Sequence, residues 1–293
     1  MRIKGQTFII SGASRGIGEA LALELARAGA KLVIGARNPK ALDSACEKVR
    51  SLGVPCVSVI GNIADSAVAE ALVQEALRLG NFVGFIHNAG VLNAGPLAYE
   101  LIEAQYDEIM NSNVKGGYQL ARFAYPHLIR QPDSVAVFLG SGVAEHNIPG
   151  MGIYAIAKAA EEHLARQLAI EAPEVTCFTF RPGIVETDMQ RQLREAQGSA
   201  SETLRPLFRG YQSQGRVLSP EQSARALVRL LEGDPRRFHG KIASVHDSQA
   251  QPPQRQLCVR TSSKKAPNEP LPGPCCGRWA SAMKSSSFPG WAS

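Results

Sequence analysis

Several things are scarce in this chain of 293 residues. It has no run of about 18 apolar residues, so no membrane-spanning helix and no membrane partner are expected. Its first residues, MRIKGQTFIISGAS, hold an apolar run of only TFII before a Gly-rich turn, which is not the pattern of a secretion signal. A cytoplasmic protein is expected. None of the six cysteines sits in a C-x-x-C pair, and no His cluster accompanies them, so no metal site is expected. Cys46, Cys56 and Cys177 lie in apolar segments and read as small buried hydrophobes, whereas Cys258, Cys275 and Cys276 lie further on, the last two as neighbouring exposed thiols.

Acidic residues are scarce in one place above all. Residues 251–293 carry Arg255, Arg260, Lys264, Lys265, Arg278 and Lys284 against Glu269 alone. Of the formal charge of +6, +5 therefore belongs to the tail, and the first 250 residues are nearly neutral. A nucleic-acid partner for the folded part is not expected. The tail holds seven of the 18 prolines and both tryptophans, without apolar periodicity. It reads as a low-complexity, disordered basic segment over 248–293, either an inert extension or an interaction arm. The chain thus divides into a folded domain, 1–247, and this tail.

The folded part alternates short apolar runs with helical patterns. Strands are expected at 7–11, 31–36, 56–60, 82–88, 134–140, 175–180 and, last, within 240–246. Helices are expected between them, with two near 101–111 and 112–130, a long one over 151–171, and others near 200–213 and 220–233. Continuously apolar strands, each followed by a helix, predict an α/β fold: a single Rossmann-type doubly wound parallel sheet with helices on both faces.

The turn after the first strand reads Ser11-Gly12-Ala13-Ser14-Arg15-Gly16-Ile17-Gly18. A Gly-rich turn between a strand and a helix lets backbone N–H groups approach a pyrophosphate, and the helix N-terminus favours the anion. Its spacing, G-x-x-x-G-x-G, differs from the G-x-G-x-x-G form. The second strand ends Gly35-Ala36-Arg37-Asn38, without the acidic residue that would hold a ribose 2′-OH. Arg37, with Arg15, supplies positive charge suited to a 2′-phosphate, which predicts NADP(H) over NAD(H).

A second constellation follows the fifth strand. In GSGVAEHNIPGMGIYAIAK, Tyr154 and Lys158 stand four residues apart, on one helix face. A phenol with a pKa near ~10 exchanges protons poorly at neutral pH, and a nearby ammonium stabilises its ionised form. Ser141 can hydrogen-bond a substrate carbonyl.

Taken in order, this glycine turn, His87-Asn88-Ala89-Gly90 and Ser141…Tyr154-x-x-x-Lys158 resemble the short-chain dehydrogenase/reductase family over about residues 5–246. The resemblance implies cofactor contacts from Gly12, Ser14, Arg15, Gly16, Ile17, Gly18 and Arg37, and from Asn62 and Ile63 beside the adenine. It implies further contacts from Asn88, Ala89, Gly90, Tyr154 and Lys158. Arg181-Pro182-Gly183-Ile184-Val185-Glu186-Thr187 resembles the family's P-G-x-x-x-T, which implies that Pro182, Gly183, Val185 and Thr187 flank the nicotinamide. Asn113, in N-V-K-G-G, matches the family's fourth catalytic residue and would position a water linking Lys158 to solvent. The catalytic set implied is Asn113, Ser141, Tyr154 and Lys158. His87 reads as a packed strand residue.

Substrate is expected to meet Ser141, Val143, Tyr154 and Met189, under a cover formed by 190–215. The run PGIVETDMQRQLRE resembles the subgroup around benzil reductase and sepiapterin reductase, which implies a ketone or diketone. The expected activity is NADPH-dependent carbonyl reduction, with reversible oxidation of a secondary alcohol and Tyr154 as general acid/base. Alternatives are a 3-oxoacyl thioester reductase or alcohol dehydrogenase of the same family, and a non-catalytic NADP(H)-sensing protein. Family members imply a homodimer or homotetramer.

Overall fold

The computed structural model describes residues 1–248; the expected basic tail beyond Ser248, with Cys258, Cys275 and Cys276, lies outside the described residues. The strands are β1 (Thr7–Ser11), β2 (Lys31–Ala36), β3 (Cys56–Ile60), β4 (Phe82–His87), β5 (Val135–Leu139), β6 (Thr176–Arg181) and β7 (Ile242–Ser244). They form one parallel sheet in the order β3-β2-β1-β4-β5-β6-β7. Every residue of β1, β4 and β5 is buried, which is why these strands read as unbroken apolar runs.

The helices are α1 (Gly16–Arg27), α2 (Pro39–Arg50), α3 (Ser66–Leu79), α4 (Glu103–Met110), α5 (Gly116–Leu128), α6 (Gly152–Glu171), α7 (Asp188–Arg194), α8 (Ser201–Ser213) and α9 (Pro220–Glu232). Local chemistry sets several of their starts. Asn38 accepts a hydrogen bond from Ala41 N at 3.0 Å, with Pro39 in the first helical turn of α2. Ser219 and Gln222 form a reciprocal capping box on α9. One face of the sheet packs on α1, α2 and α9 through residues such as Phe8, Ile10, Leu21 and Leu227. The other packs on α3, α5 and α6 through Phe85, Phe138, Leu120 and Ala165.

A third apolar cluster, with Leu92, Ile109, Met151, Tyr154, Leu193 and Phe208, joins the start of α6 to α4, α7 and α8. The connection from β1 to β2 runs to one side of the sheet order and that to β4 lies on the other, so a crevice opens above β1 and β4 at their carboxyl ends. This is where such sheets bind ligands.

Three details differ from the sequence reading. The helices expected at 101–111 and 112–130 are one rod, α4 passing through a π turn (Asn111–Lys115) into α5. The two glycines after the turn explain its seat. A Cβ at Gly116 would lie 2.6 Å from Ile63 Cγ2, and one at Gly117 would lie 3.0 Å from the His87 ring. The last strand is only three residues long. Within 190–215, α7 is an additional helix, started by Thr187, whose hydroxyl accepts from Gln190 N at 3.4 Å. No described helix is long and apolar enough to cross a membrane.

Candidate active site

The carboxyl edge of the sheet holds a cleft of about 1280 Å³. Its floor is backbone. Gly12 has φ +67°, and a Cβ there would lie 2.7 Å from Ala89 Cα. A Cβ at Gly18 would lie 2.3 Å from Gly12 O. Only glycine permits this approach of α1 to the turn. The result is a concave backbone cradle at the head of α1, bordered by Ser14, Arg15, Gly16 and Ile17. It fits a pyrophosphate, since N–H groups and the helix dipole converge there.

Side chains of β1 and β4 fasten the floor. Ser11 Oγ accepts from Asn88 N at 3.1 Å and Ala89 N at 3.2 Å. Its proton therefore goes to His87 Nδ1, 2.9 Å away. His87 Nε2–H then donates to Asn113 O at 3.2 Å, which ties β4 to the π turn. Asn88 Nδ2 donates to Gly12 O at 2.9 Å and Ser11 O at 3.2 Å. His87 is fully buried, and that burial, with Lys158 nearby, lowers its pKa to about 3. It is a neutral strut, as its sequence position implied.

Asn113 is buried at the turn. Its Nδ2 donates to Ile109 O at 2.8 Å and Val91 O at 2.9 Å, which leaves Oδ1 buried without a partner. A Cβ at Gly90 would lie 2.6 Å from that oxygen and 3.8 Å from Lys158 Nζ. The unpartnered acceptor thus lies on the same side of Gly90 as the lysine, with its capacity to accept a hydrogen bond unused.

Tyr154 and Lys158 stand on α6, 6% and 4% exposed. Lys158 Nζ lies 5.8 Å from the Tyr154 ring centre and donates to Leu139 O and Glu161 Oε2, each at 2.7 Å. Burial works against the ammonium, but Glu161, Tyr154 and Glu162 outweigh it, so the Lys158 pKa stands above its ordinary value. Burial likewise raises the Tyr154 pKa; Lys158 pulls it down, Glu161 pushes it up, and Ser141 favours the ionised form. The net direction is upward. The sequence led us to expect a lowered phenol pKa from Lys158 alone, but burial and Glu161 outweigh that lysine.

At the end beyond β2 and β3, Asn62 and Ile63 line the cleft, and Asn62 Oδ1 accepts from Ala64 N at 3.1 Å. Arg37 does stand at the β2 end, but Glu108 of α4 reaches it at 3.0 Å. Arg15 pairs with Asp188 at the start of α7. At the opposite end, Leu218 bonds Ile184 O and Glu186 N through its own main chain. The Val185 N–H and C=O consequently point away from Leu218. Pro182, Gly183, Val185 and Thr187 line this end, and Val143 and Met189 pack against the Tyr154 cluster.

A short chain dehydrogenase family profile matches residues 6–198. The chain belongs to the short-chain dehydrogenase family. It is 27% identical over 248 residues to dehydrogenase/reductase SDR family member 4 of Caenorhabditis elegans, covering 83% of this chain and 95% of that one. It is 30% identical over 203 residues to a 3-oxoacyl-[acyl-carrier-protein] reductase of Pseudomonas aeruginosa, covering 68% and 82%. A short chain dehydrogenase/reductase from Saccharomyces cerevisiae superposes with TM-score 0.74 at 27% identity, covering 83% and 96%.

The short-chain dehydrogenase family comprises oxidoreductases that use a nicotinamide cofactor, and the cradle above fits one. Two site residues escaped the sequence reading. Glu108 lies on a helix distant in sequence from β2, and nothing local links it to Arg37. Glu161 had a signal: it stands three residues after Lys158, hence on the same helix face, in the stripe that also carries Tyr154, Ala157 and Ala165. Among the described residues, no group of three or more His, Cys, Asp or Glu side chains is placed to hold a metal ion.

Proposed function

We propose that this protein is an NADPH-dependent carbonyl reductase acting on a ketone or diketone. The observation that carries the reading is Tyr154 and Lys158, buried together beside Ser141 in the wall of the cleft. Hydride delivery to a carbonyl carbon is the chemistry that a bound nicotinamide supplies. Ser141 holds the carbonyl oxygen and Tyr154 gives it the phenolic proton. Lys158, fixed by Leu139 O, stabilises the phenolate left behind. Asn113 Oδ1 offers the acceptor for a water that restores the proton. Met189 and Val143 form an apolar wall, which suits a substrate with apolar flanks.

The glycine turn holds the cofactor pyrophosphate, and Val185 and Thr187 hold the carboxamide. Arg37 and Arg15 favour a 2′-phosphate, with Glu108 and Asp188 as the partners they exchange for it. A 3-oxoacyl thioester is the second reading, favoured by the Pseudomonas aeruginosa relative. A homodimer or homotetramer is part of the proposal, supported by exposed Tyr118, Ile129 and Ile170 on or beside α5 and α6. A cytoplasmic location is likewise proposed.

The test is loss of NADPH absorbance with benzil, other diketones, a sepiapterin-like ketone and a 3-oxoacyl ester, with NADH in parallel. Turnover with NADPH that disappears in Tyr154→Phe is expected. Turnover that survives this substitution would remove Tyr154 from its role.

A further inference from the structure

The reaction just described has no use for Glu161. Its side chain is 0% exposed, one carboxylate oxygen bonds Lys158 Nζ at 2.7 Å, and the other has no partner. Burying a carboxylate with an unmet oxygen is unfavourable, and its pairing with the buried ammonium offsets only part of that cost. Leu139 O already anchors the lysine, so Glu161 is not needed to orient it. What Glu161 adds is a negative charge directly against the ammonium on which Tyr154 depends. A phenolate beside a neutralised ammonium is less stabilised than one beside a free ammonium.

We infer that Glu161 is a positioning residue that neutralises the Lys158 ammonium, keeps Tyr154 in its proton-donating form and biases the site toward carbonyl reduction over alcohol oxidation. The inference rests on the proposed acid/base role of Tyr154. The equilibrium between ketone and alcohol is untouched by this; what Glu161 sets is the pH range in which each direction runs. Reduction needs the phenol and oxidation needs the phenolate.

The surrounding charges agree. Lys158 and Glu162 on α6 bear directly on Glu161. Glu162 is itself engaged by Arg181 of β6, at 2.8 Å, and Arg181 also holds Glu145 after β5. His87 of β4, near Lys158, is held neutral by burial. Burial raises the Glu161 pKa to about 7 against the pull of Lys158. Glu161 therefore masks Lys158 on the alkaline side of neutrality, which is the range where a phenolate would otherwise form.

The experiment titrates Tyr154 by the ultraviolet absorbance of its phenolate in the cofactor-free protein, taking the difference against Tyr154→Phe. Beside it runs the pH profile of kcat for NADP⁺-dependent alcohol oxidation. Glu161→Gln is expected to move both midpoints down by about one pH unit, a ten-fold loss of proton affinity. Glu161→Leu, an apolar replacement of similar size, is expected to do the same where the amide disturbs packing. Glu161→Asp, which keeps the charge, is expected to restore the wild-type midpoint. Unchanged midpoints in folded Glu161→Gln or Glu161→Leu would overturn the inference. Oxidation that survives Tyr154→Phe is a different failure, since it would remove the acid/base reading itself.

Discussion

The two ends of the cleft are built from different materials. The end toward α1 is backbone: glycines at 12 and 18 in steric contact with Ala89 and with each other's turn, pinned by Ser11, Asn88 and His87. The end toward α7 and α8 is side chains: an apolar cluster capped by exposed ion pairs such as Arg191 with Asp188 and Arg194 with Glu186. Backbone cradles tolerate little change, because a single added methyl meets main-chain atoms. Surface ion pairs contribute little individually and can be exchanged freely. A constant ligand suits the first construction and a variable one suits the second.

Two substitutions break this comparison cleanly. Tyr154→Phe should lower kcat by about 10³-fold, within the range for loss of a general acid. NADPH affinity, read by fluorescence titration, should stay within a few-fold of wild type. Gly18→Ala should do the reverse kind of damage. Its Cβ would sit 2.3 Å from Gly12 O, so the turn must move. A stability loss of about 1–3 kcal/mol, seen in denaturant unfolding, is expected with weakened NADPH binding. Unimpaired binding by Gly18→Ala would show that the cradle does not touch the cofactor.

The same contrast explains what the sequence could reveal. Parallel strands buried on both faces leave unbroken apolar runs, and a backbone cradle must be written in glycine, so both were legible as short local patterns. Tyr154 and Lys158 were legible because helix geometry alone brings residues four apart together. Glu108 was not, since its meeting with Arg37 depends on where α4 lies relative to β2. The π turn was hidden for a similar reason: the glycines that follow it, Gly116 and Gly117, lie against Ile63 and His87, three elements that meet only in the fold. Helix α7 is seven residues long, too short for periodicity to announce it.

His87 and Glu161 lie where the two constructions join, and they give a pH signature. The His87 pKa falls from 6.5 to about 3 on folding, so its contribution to stability is present above 6.5 and is lost as pH falls toward 3. The Glu161 pKa rises from 4.5 to about 7, so its contribution is present below 4.5 and is lost as pH rises toward 7. Between 4.5 and 6.5 the two slopes oppose each other. His87→Asn should leave a protein whose stability falls as pH rises through that window, and Glu161→Gln one whose stability falls as pH drops. Each slope is at most about 1.4 kcal/mol per pH unit, measured by denaturant unfolding at a series of pH values. A flat profile in either variant would mean that the group it retains titrates as it does in the unfolded chain.

The smallest expected effect lies at the one corner of the cofactor end that is made of side chains. Arg37 is half exposed and paired with Glu108, itself 42% exposed, so the pair is worth less than about 1 kcal/mol to the fold. In the proposed reading a 2′-phosphate would compete for the same guanidinium with greater charge and more acceptor oxygens. Arg37→Ala should therefore weaken NADPH about ten-fold, roughly the worth of one charge-assisted hydrogen bond, and leave NADH nearly unchanged. Glu108→Ala should act in the opposite sense, strengthening NADPH by a few-fold because no carboxylate has to be displaced. Parallel titrations with both cofactors decide it. Equal losses for NADPH and NADH in Arg37→Ala would mean that Arg37 contacts something common to the two, and the 2′-phosphate would need another partner.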